Sequence, residues 1–139
     1  MNSSDTVSAD AIVRALYESI SGPAGAPRDW ERFRSLHVKD ARLVVVVSPP
    51  GEVPRLRFLT VEDQIQRAAP IFEKEDFWEV EVDRQTHVFG QIAHVLSSYE
   101  CRRTPEGPPF TSQQKSLQLF NDNSRWWILS AVWHTPRTA

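Results

Sequence analysis

The sequence predicts an α+β fold in which three helices from the first half of the chain cover the concave face of a curved antiparallel sheet. Apolar residues recur about every 3.6 residues in three segments before Phe77, and they alternate with a period of two after it. Residues 43–47 form the longest uninterrupted apolar run, which is short, rich in valine and typical of a strand. Helices followed by strands in this order favour a layer of helices packed on a sheet.

The three helices are predicted from capping residues and apolar spacing. Ser8 is an N-cap candidate for a first helix over about residues 8–20. Asp29 begins a short second helix after a segment rich in glycine and proline. Thr60, with Asp63 three residues later, is a capping signature for a third helix.

The strands begin with the valine run, which a Pro-Pro-Gly segment at residues 49–51 ends. A return strand follows over about residues 53–59, and a meander of long strands fills the second half of the chain. Its four strands are predicted over about residues 77–89, 92–104, 111–121 and 125–134. The last strand carries large apolar side chains on both faces, so we expect both faces to be covered.

Length, charge and missing motifs exclude several classes of protein. The 139 residues fit one domain, 1–139, with a core over about 8–134. A net charge of −2 and no basic block longer than Arg102-Arg103 argue against a nucleic-acid partner. The single cysteine suits a reducing cytoplasm, and without a signal or membrane-length apolar segment we expect a cytoplasmic protein with no membrane partner. No phosphate-binding or metal-binding motif is present, so we expect no cofactor and no metal.

Three segments carry a family resemblance: residues 89–95 (Phe-Gly-Gln-Ile-Ala-His-Val), the pair at 99–100 (Tyr-Glu) and residues 123–128 (Asn-Ser-Arg-Trp-Trp-Ile). With the order of elements, they resemble the nuclear transport factor 2-like superfamily over about residues 8–134, most closely its small bacterial SnoaL-like members. The resemblance implies a cone-like half barrel, a pocket between the concave sheet face and the helices, and a homodimer. Members include ketosteroid isomerases, polyketide cyclases, dehydratases, epoxide hydrolases and binding modules, so an activity does not follow from the fold.

Ideal pairing across the turn at residues 90–91 predicts which strand residues share the pocket face. On that face Glu81 would oppose Glu100, with Lys115 on the next strand to neutralise the two acids. Glu81 and Glu100 are candidate acid–base groups, and Lys115 or Tyr17 would hold a developing oxyanion. Tyr17 on the first helix resembles by position the tyrosine that holds an oxyanion in ketosteroid isomerases. The predicted ligand-binding residues are apolar and polar side chains of the same face with one tryptophan of the second helix: Leu96, Leu117, Trp126, Ile128, Ser98, Ser130, His134 and Trp30.

Simpler interpretations and two functions stay open. Alternating acids on a strand are also typical of a solvated face, and Tyr17 has the spacing of a core residue. We favour a small-molecule-binding domain because no compact catalytic motif is present; the alternative is a cofactor-free lyase, isomerase or hydrolase that uses a pocket carboxylate. Either would accept a small apolar molecule. Tyr99, Trp127 and Trp133 fall together on the outer sheet face, an apolar patch that predicts a homodimer.

Overall fold

A computed structural model describes residues 3–135 as one curved six-stranded sheet with three α-helices on one face. A 3₁₀ turn at Ser3–Thr6 precedes the helices α1 (Ala9–Ile20), α2 (Trp30–Ser35) and α3 (Val61–Lys74). The strands are β1 (His37–Val47), β2 (Arg55–Leu59), β3 (Trp78–Phe89), β4 (Ile92–Arg102), β5 (Pro109–Asn121) and β6 (Trp126–His134). The predicted α+β fold class and its three helices are therefore confirmed.

The helices begin where the capping residues predict. Ser8 Oγ accepts a hydrogen bond from the Ala11 amide at 3.0 Å. At the start of α3, Thr60 and Asp63 exchange two side chain–backbone bonds of 3.0 Å each, which completes a capping box. The α3 helix therefore starts at a fixed residue, and its inward face meets the sheet at a defined position.

The strands lie in the order β2-β1-β6-β5-β4-β3. All neighbours run antiparallel except β1 and β6, which run parallel, so the sheet is mixed. The last strand of the chain therefore lies inside the sheet, between the first strand and the meander. That central place explains why both faces of β6 carry large apolar side chains.

Two irregularities decide which side chains face the helices. The predicted pairing of Phe89 with Ile92 is confirmed, but the register of β3 against β4 shifts at Val82. A second shift in β6, at Leu129, lies opposite the step from Gln118 to Leu119 in β5. An extra residue at such a bulge turns the following side chains to the other face of the strand. The faces that ideal pairing predicts for the side chains of β3 and β6 therefore change at Val82 and at Leu129.

The core lies between the inner face of the sheet and the helices. Inward-facing residues of β4 and β5 lie directly opposite one another as the pairs Ala93–Leu119, Val95–Leu117 and Ser97–Lys115. All six are buried. Because burying one leucine stabilises a fold by about 1.5–3 kcal/mol, these strand pairs hold the helices against the sheet.

In residues 3–135, no helix is both long enough and apolar enough to span a bilayer.

Candidate functional site

A cavity of about 270 Å³ lies between the inner sheet face and the helices. Helices α1, α2 and α3 supply one side of its wall, and strands β1, β3, β4, β5 and β6 supply the other. The volume is close to the lower end of the range for ligand pockets, roughly 300–1,000 Å³. The cavity therefore has room for a small molecule.

Aromatic rings form much of the cavity wall. Trp30 of α2 stacks on Phe72 of α3 with ring centroids 6.0 Å apart, and Phe72 stacks on Phe77 at 4.9 Å. Phe33 meets Trp30 edge to face at 5.6 Å. Such contacts stabilise a cluster beyond its buried area. They also fix the ring planes, so the contacts within the protein alone form the wall.

An ion pair between Lys115 and Glu79 forms the floor of the cavity. Lys115 Nζ lies 2.9 Å from Glu79 Oε1, and the side chains are only 8% and 12% exposed. The ammonium also lies over the rings of Tyr17 and Tyr99, 4.8 and 4.7 Å from their centroids. Burial alone would lower the pKa of Lys115, but the neighbouring Glu79, Tyr17 and Tyr99 together outweigh it and hold that pKa above its ordinary value. Lys115 is therefore a charged hydrogen-bond donor at the floor.

His37 is a second polar group of the cavity. Its Nδ1 lies 2.8 Å from the Phe33 carbonyl oxygen, which can only accept, so Nδ1 carries the proton and Nε2 keeps a lone pair. Burial, helped by the nearby Lys115 charge, lowers the pKa of His37 to about 4. At neutral pH the imidazole is therefore uncharged, with Nε2 as an acceptor beside the cavity.

The mouth of the cavity is charged. Of its exposed lining residues, Arg103 pairs with Glu75 at 3.1 Å and covers the ring of Phe110 at 3.9 Å. Arg67 of α3 is half-buried, and its Nη1 donates to Gln64 Oε1 at 3.3 Å. The cavity therefore has a polar floor, an aromatic wall and a basic mouth.

The predicted catalytic residues are divided by the bulge at Val82. The prediction that Glu81 opposes Glu100 is wrong, because Glu81 pairs with Tyr99 and Glu100 pairs with Val80. Glu81 faces inward, yet it accepts bonds from Ser97 at 2.5 Å and from Arg84 and does not line the cavity. Of the four predicted catalytic residues, only Lys115 lines the cavity.

Glu100 lies on the outer face, bonded to Arg102 at 2.6 Å and bordering a shallow outer groove. Tyr17 is buried, and its hydroxyl lies 2.6 Å from Ser97 Oγ beneath the floor. Burial raises the pKa of Tyr17, so it stays a neutral phenol. Tyr17 therefore reaches the cavity only through the Lys115 ammonium above its ring.

The predicted ligand-binding residues fall into three places. Trp30 lines the cavity. The inward-facing Leu117, Ile128 and Trp126 belong to or pack against the core but do not line the cavity. The remaining predicted residues are partnered with outward-facing side chains or border the outer groove, so their assignment to the pocket face is wrong: Leu96, Ser98, Ser130 and His134.

The aromatic patch predicted for a dimer is also divided. Tyr99 and Trp133 line the inner cavity, because the bulges at Val82 and Leu129 move the pocket to their side of the sheet. Trp127 lies outside the cavity lining, and its indole Nε1 donates to Asp122 Oδ2 at 2.9 Å. The homodimer stays a prediction, but two of its three aromatic residues serve the cavity instead.

The sequence prediction missed Glu79, His37 and Arg67. One signal for the correct inner face was present in β4, where one set of alternate residues is nearly all small or apolar and the other is mostly polar. The first set is Ala93, Val95, Ser97, Tyr99 and Cys101; the second is His94, Leu96, Ser98, Glu100 and Arg102. The less polar set packs on the helices. Once that face is known, the pairing of Glu79 with Cys101 places Glu79 inside.

Cys101 lines the cavity as a neutral thiol, since burial raises its pKa to about 12. Within residues 3–135, no group of three or more histidine, cysteine and acidic side chains is arranged to hold a metal ion. The polar groups in the buried part of the cavity are Lys115, Glu79 and His37.

No protein-family profile and no curated protein sequence matches the chain. Solved structures do match it. A protein of unknown function with a cystatin-like fold from Nostoc punctiforme aligns with a TM-score of 0.66 and 11% identity, over 95% of this chain and 96% of that one. A nuclear transport factor 2-like protein from Cytophaga hutchinsonii aligns with a TM-score of 0.60 and 14% identity, over 91% and 97%.

A third match, from Parabacteroides distasonis, bears a name that proposes a ketosteroid isomerase activity. It aligns with a TM-score of 0.55 and 13% identity, over 92% of this chain and 87% of that one. At these identities the likeness shows the fold alone. The chain has the nuclear transport factor 2-like, cystatin-like fold.

Proposed function

We propose that this nuclear transport factor 2-like domain binds a small, largely apolar molecule in the cavity between the sheet and the helices. The observation that carries the proposal is the combination of an aromatic wall with a charged ion pair at the floor of the same cavity. A ligand site needs such a mixture of apolar surface and a few convergent polar groups. The ligand would carry an oxygen atom that accepts a hydrogen bond from Lys115.

The polar groups at the floor support binding because some of their capacity is unused. Glu79 Oε1 accepts the bond from Lys115, whereas Oε2 and His37 Nε2 receive no bond from the rest of residues 3–135. Neither atom is sealed away, since no buried side-chain nitrogen or oxygen in the described part of the chain lacks a partner. Water or a ligand must therefore satisfy them.

Ala68→Phe provides a direct test of the cavity. Ala68 lines the cavity from α3 and is buried, so a phenyl ring at this position would fill the space that a ligand needs. We expect the substitution to abolish the binding of any cavity ligand found in a screen of small aromatic and aliphatic compounds by ligand-observed nuclear magnetic resonance.

The matched control is Ala69→Phe, the same substitution one residue further along α3 at a position that does not line the cavity. It should leave binding within about two-fold of the parent protein. Binding that survives Ala68→Phe, or that both variants lose equally, would show that ligands bind elsewhere. Circular dichroism at the assay temperature confirms that both variants are folded.

A second candidate function is a cofactor-free acid–base enzyme, and the position of Glu79 favours it. A carboxylate with one free oxygen lies beside a charged lysine in a largely enclosed cavity. Glu79 Oε2 would remove a proton from a carbon next to a carbonyl group, and Lys115 would stabilise the enolate oxygen that forms. Returning the proton to another carbon would isomerise the substrate.

This second function predicts proton exchange with solvent. With 2-tetralone, a small aromatic ketone, in deuterated water, we expect the protein to accelerate loss of the α-proton signal at least about ten-fold over buffer. The double variant Glu79→Gln/Lys115→Met should lose that acceleration, while Glu100→Gln on the outer face should keep it. An exchange rate equal to that of buffer would contradict the enzyme function, and the binding function would be the remaining proposal.

A further inference from the structure

At the mouth of the cavity, the positive charge of Arg67 is not paired with a carboxylate of the described residues. Lys115, Arg67 and Arg103 are the permanently charged basic residues that line the cavity. Lys115 pairs with Glu79 and Arg103 pairs with Glu75. Arg67 has no carboxylate within ion-pair distance among residues 3–135, and its one side-chain partner is the neutral Gln64.

Arg67 is also held in a position where a ligand can reach it. It is half-buried at the rim of the cavity, one turn before Ile71 and Phe72 on α3, and its bond to Gln64 uses only one of its five N–H donors. A planar guanidinium with free donors binds a carboxylate through two parallel hydrogen bonds. Partial removal from water makes these hydrogen bonds stronger than those of a fully exposed arginine.

The surroundings of Arg67 add positive rather than negative charge. Burial lowers its pKa, and the neighbouring Arg57 of β2 lowers it further, since two cations repel each other. Within the described residues, Arg57 takes part in no ion pair either. An anion from outside the chain would relieve this repulsion.

We propose that the natural ligand is an amphipathic carboxylic acid whose apolar body fills the aromatic cavity and whose carboxylate is bound at the mouth by Arg67. This inference rests on the proposed binding function and adds the charge and orientation of the ligand. The ligand enters with its body first and keeps its carboxylate toward solvent. A neutral oxygen at the inner end of that body would accept a hydrogen bond from Lys115 at the floor.

A panel of carboxylic acids, each paired with its primary amide, tests the proposal. Naphthalene-1-acetate with its amide and octanoate with octanamide change the charge while nearly preserving the shape. We expect the protein to bind at least one acid about ten-fold more tightly than its amide, measured by isothermal titration calorimetry. Arg67→Gln should remove most of that preference and leave the affinity for the amide within about two-fold.

The matched control is Lys74→Gln, which removes one positive charge from the exposed end of the same helix. It should keep the preference for the acid, because Lys74 does not line the cavity. Higher salt concentration should weaken binding of the acid more than binding of the amide.

Three results would overturn the inference: equal affinity for acid and amide, a preference for the acid that Arg67→Gln leaves unchanged, or an equal loss in Lys74→Gln. If amides or other neutral compounds bind and Ala68→Phe abolishes their binding, the proposed binding function stands and only the role of Arg67 fails. If no compound of either class shows binding that depends on Ala68, both proposals fail.

Discussion

Replacing Glu79 by glutamine is expected to lower the free energy of unfolding by about 3–5 kcal/mol, because the change leaves the Lys115 ammonium buried without its counter-ion. The amide of glutamine can still accept one hydrogen bond but does not neutralise the charge. Lys115→Met should cost a similar amount, since it leaves the Glu79 carboxylate in the same place. Urea denaturation followed by tryptophan fluorescence measures both changes.

The double variant Glu79→Gln/Lys115→Met should unfold at a free energy close to that of the parent protein, because no buried charge is left unpaired. Two single losses that simply add in the double variant would contradict this expectation. Glu100→Gln is the matched control, since Glu100 has an ion pair of its own with Arg102 on the more exposed outer face. It should cost less than about 1 kcal/mol.

Lowering the pH should destabilise the protein through His37. The unfolded chain protonates this histidine near its ordinary pKa of about 6.5, whereas the folded chain does so only at about 4. Between these two values the unfolded state binds more protons, so the free energy of unfolding falls as the pH falls from about 6.5 to 4. One pKa unit corresponds to about 1.4 kcal/mol, so the total loss is about 3 kcal/mol.

The variant His37→Gln isolates this effect because glutamine keeps a donor for the Phe33 carbonyl and does not titrate. The difference in unfolding free energy between the parent protein and the variant should shrink by about 3 kcal/mol between pH 7.5 and pH 4. Carboxylates titrate in the same range, but they are common to both proteins and cancel in the difference. His94→Gln, at an exposed histidine on the outer face, serves as the control. A difference that stays constant with pH would contradict the expectation.

The elements of the fold were accessible from the sequence because local rules determine them. The serine and threonine caps set where α1 and α3 begin, and both are found in the structure. The change of period at Phe77 located the meander, and the turn at residues 90–91 fixed the register of its first hairpin. The parallel pairing of β1 with β6 has no local signal, since it joins residues about 90 positions apart.

The faces of β3 and β6 were not accessible across Val82 and Leu129, because one extra residue reverses the alternation of a strand. Val82 has ordinary strand chemistry, and neither it nor Leu129 differs from its neighbours in a way that marks a bulge. The loop between β4 and β5 does not set a register, so Lys115 was predicted beside Ser98 and lies opposite Ser97. The prediction therefore placed Lys115 on the pocket face but paired it with Glu81 and Glu100, whereas the structure pairs it with Glu79.

The cavity itself depends on long-range packing that no short sequence pattern reports. His37 belongs to the start of a strand, Arg67 to a helix and Glu79 to a strand of the meander, and only the folded chain brings them to one cavity. Trp30 does line the cavity, because a large aromatic residue on a short helix beside a sheet has few other places to pack.

The central position of β6 has a consequence for how the protein forms during translation. When only the first five strands have left the ribosome, we expect the β1–β2 hairpin and the β3–β5 meander to be separate, because among the strands of residues 3–135 only β6 pairs with both. Until β6 emerges, the nascent chain would hold two separate sheets with unpaired edges at β1 and β5, which chaperones would recognise. The assembled sheet, and the cavity floor that Trp133 and Lys115 share across β6 and β5, would then appear in one late step.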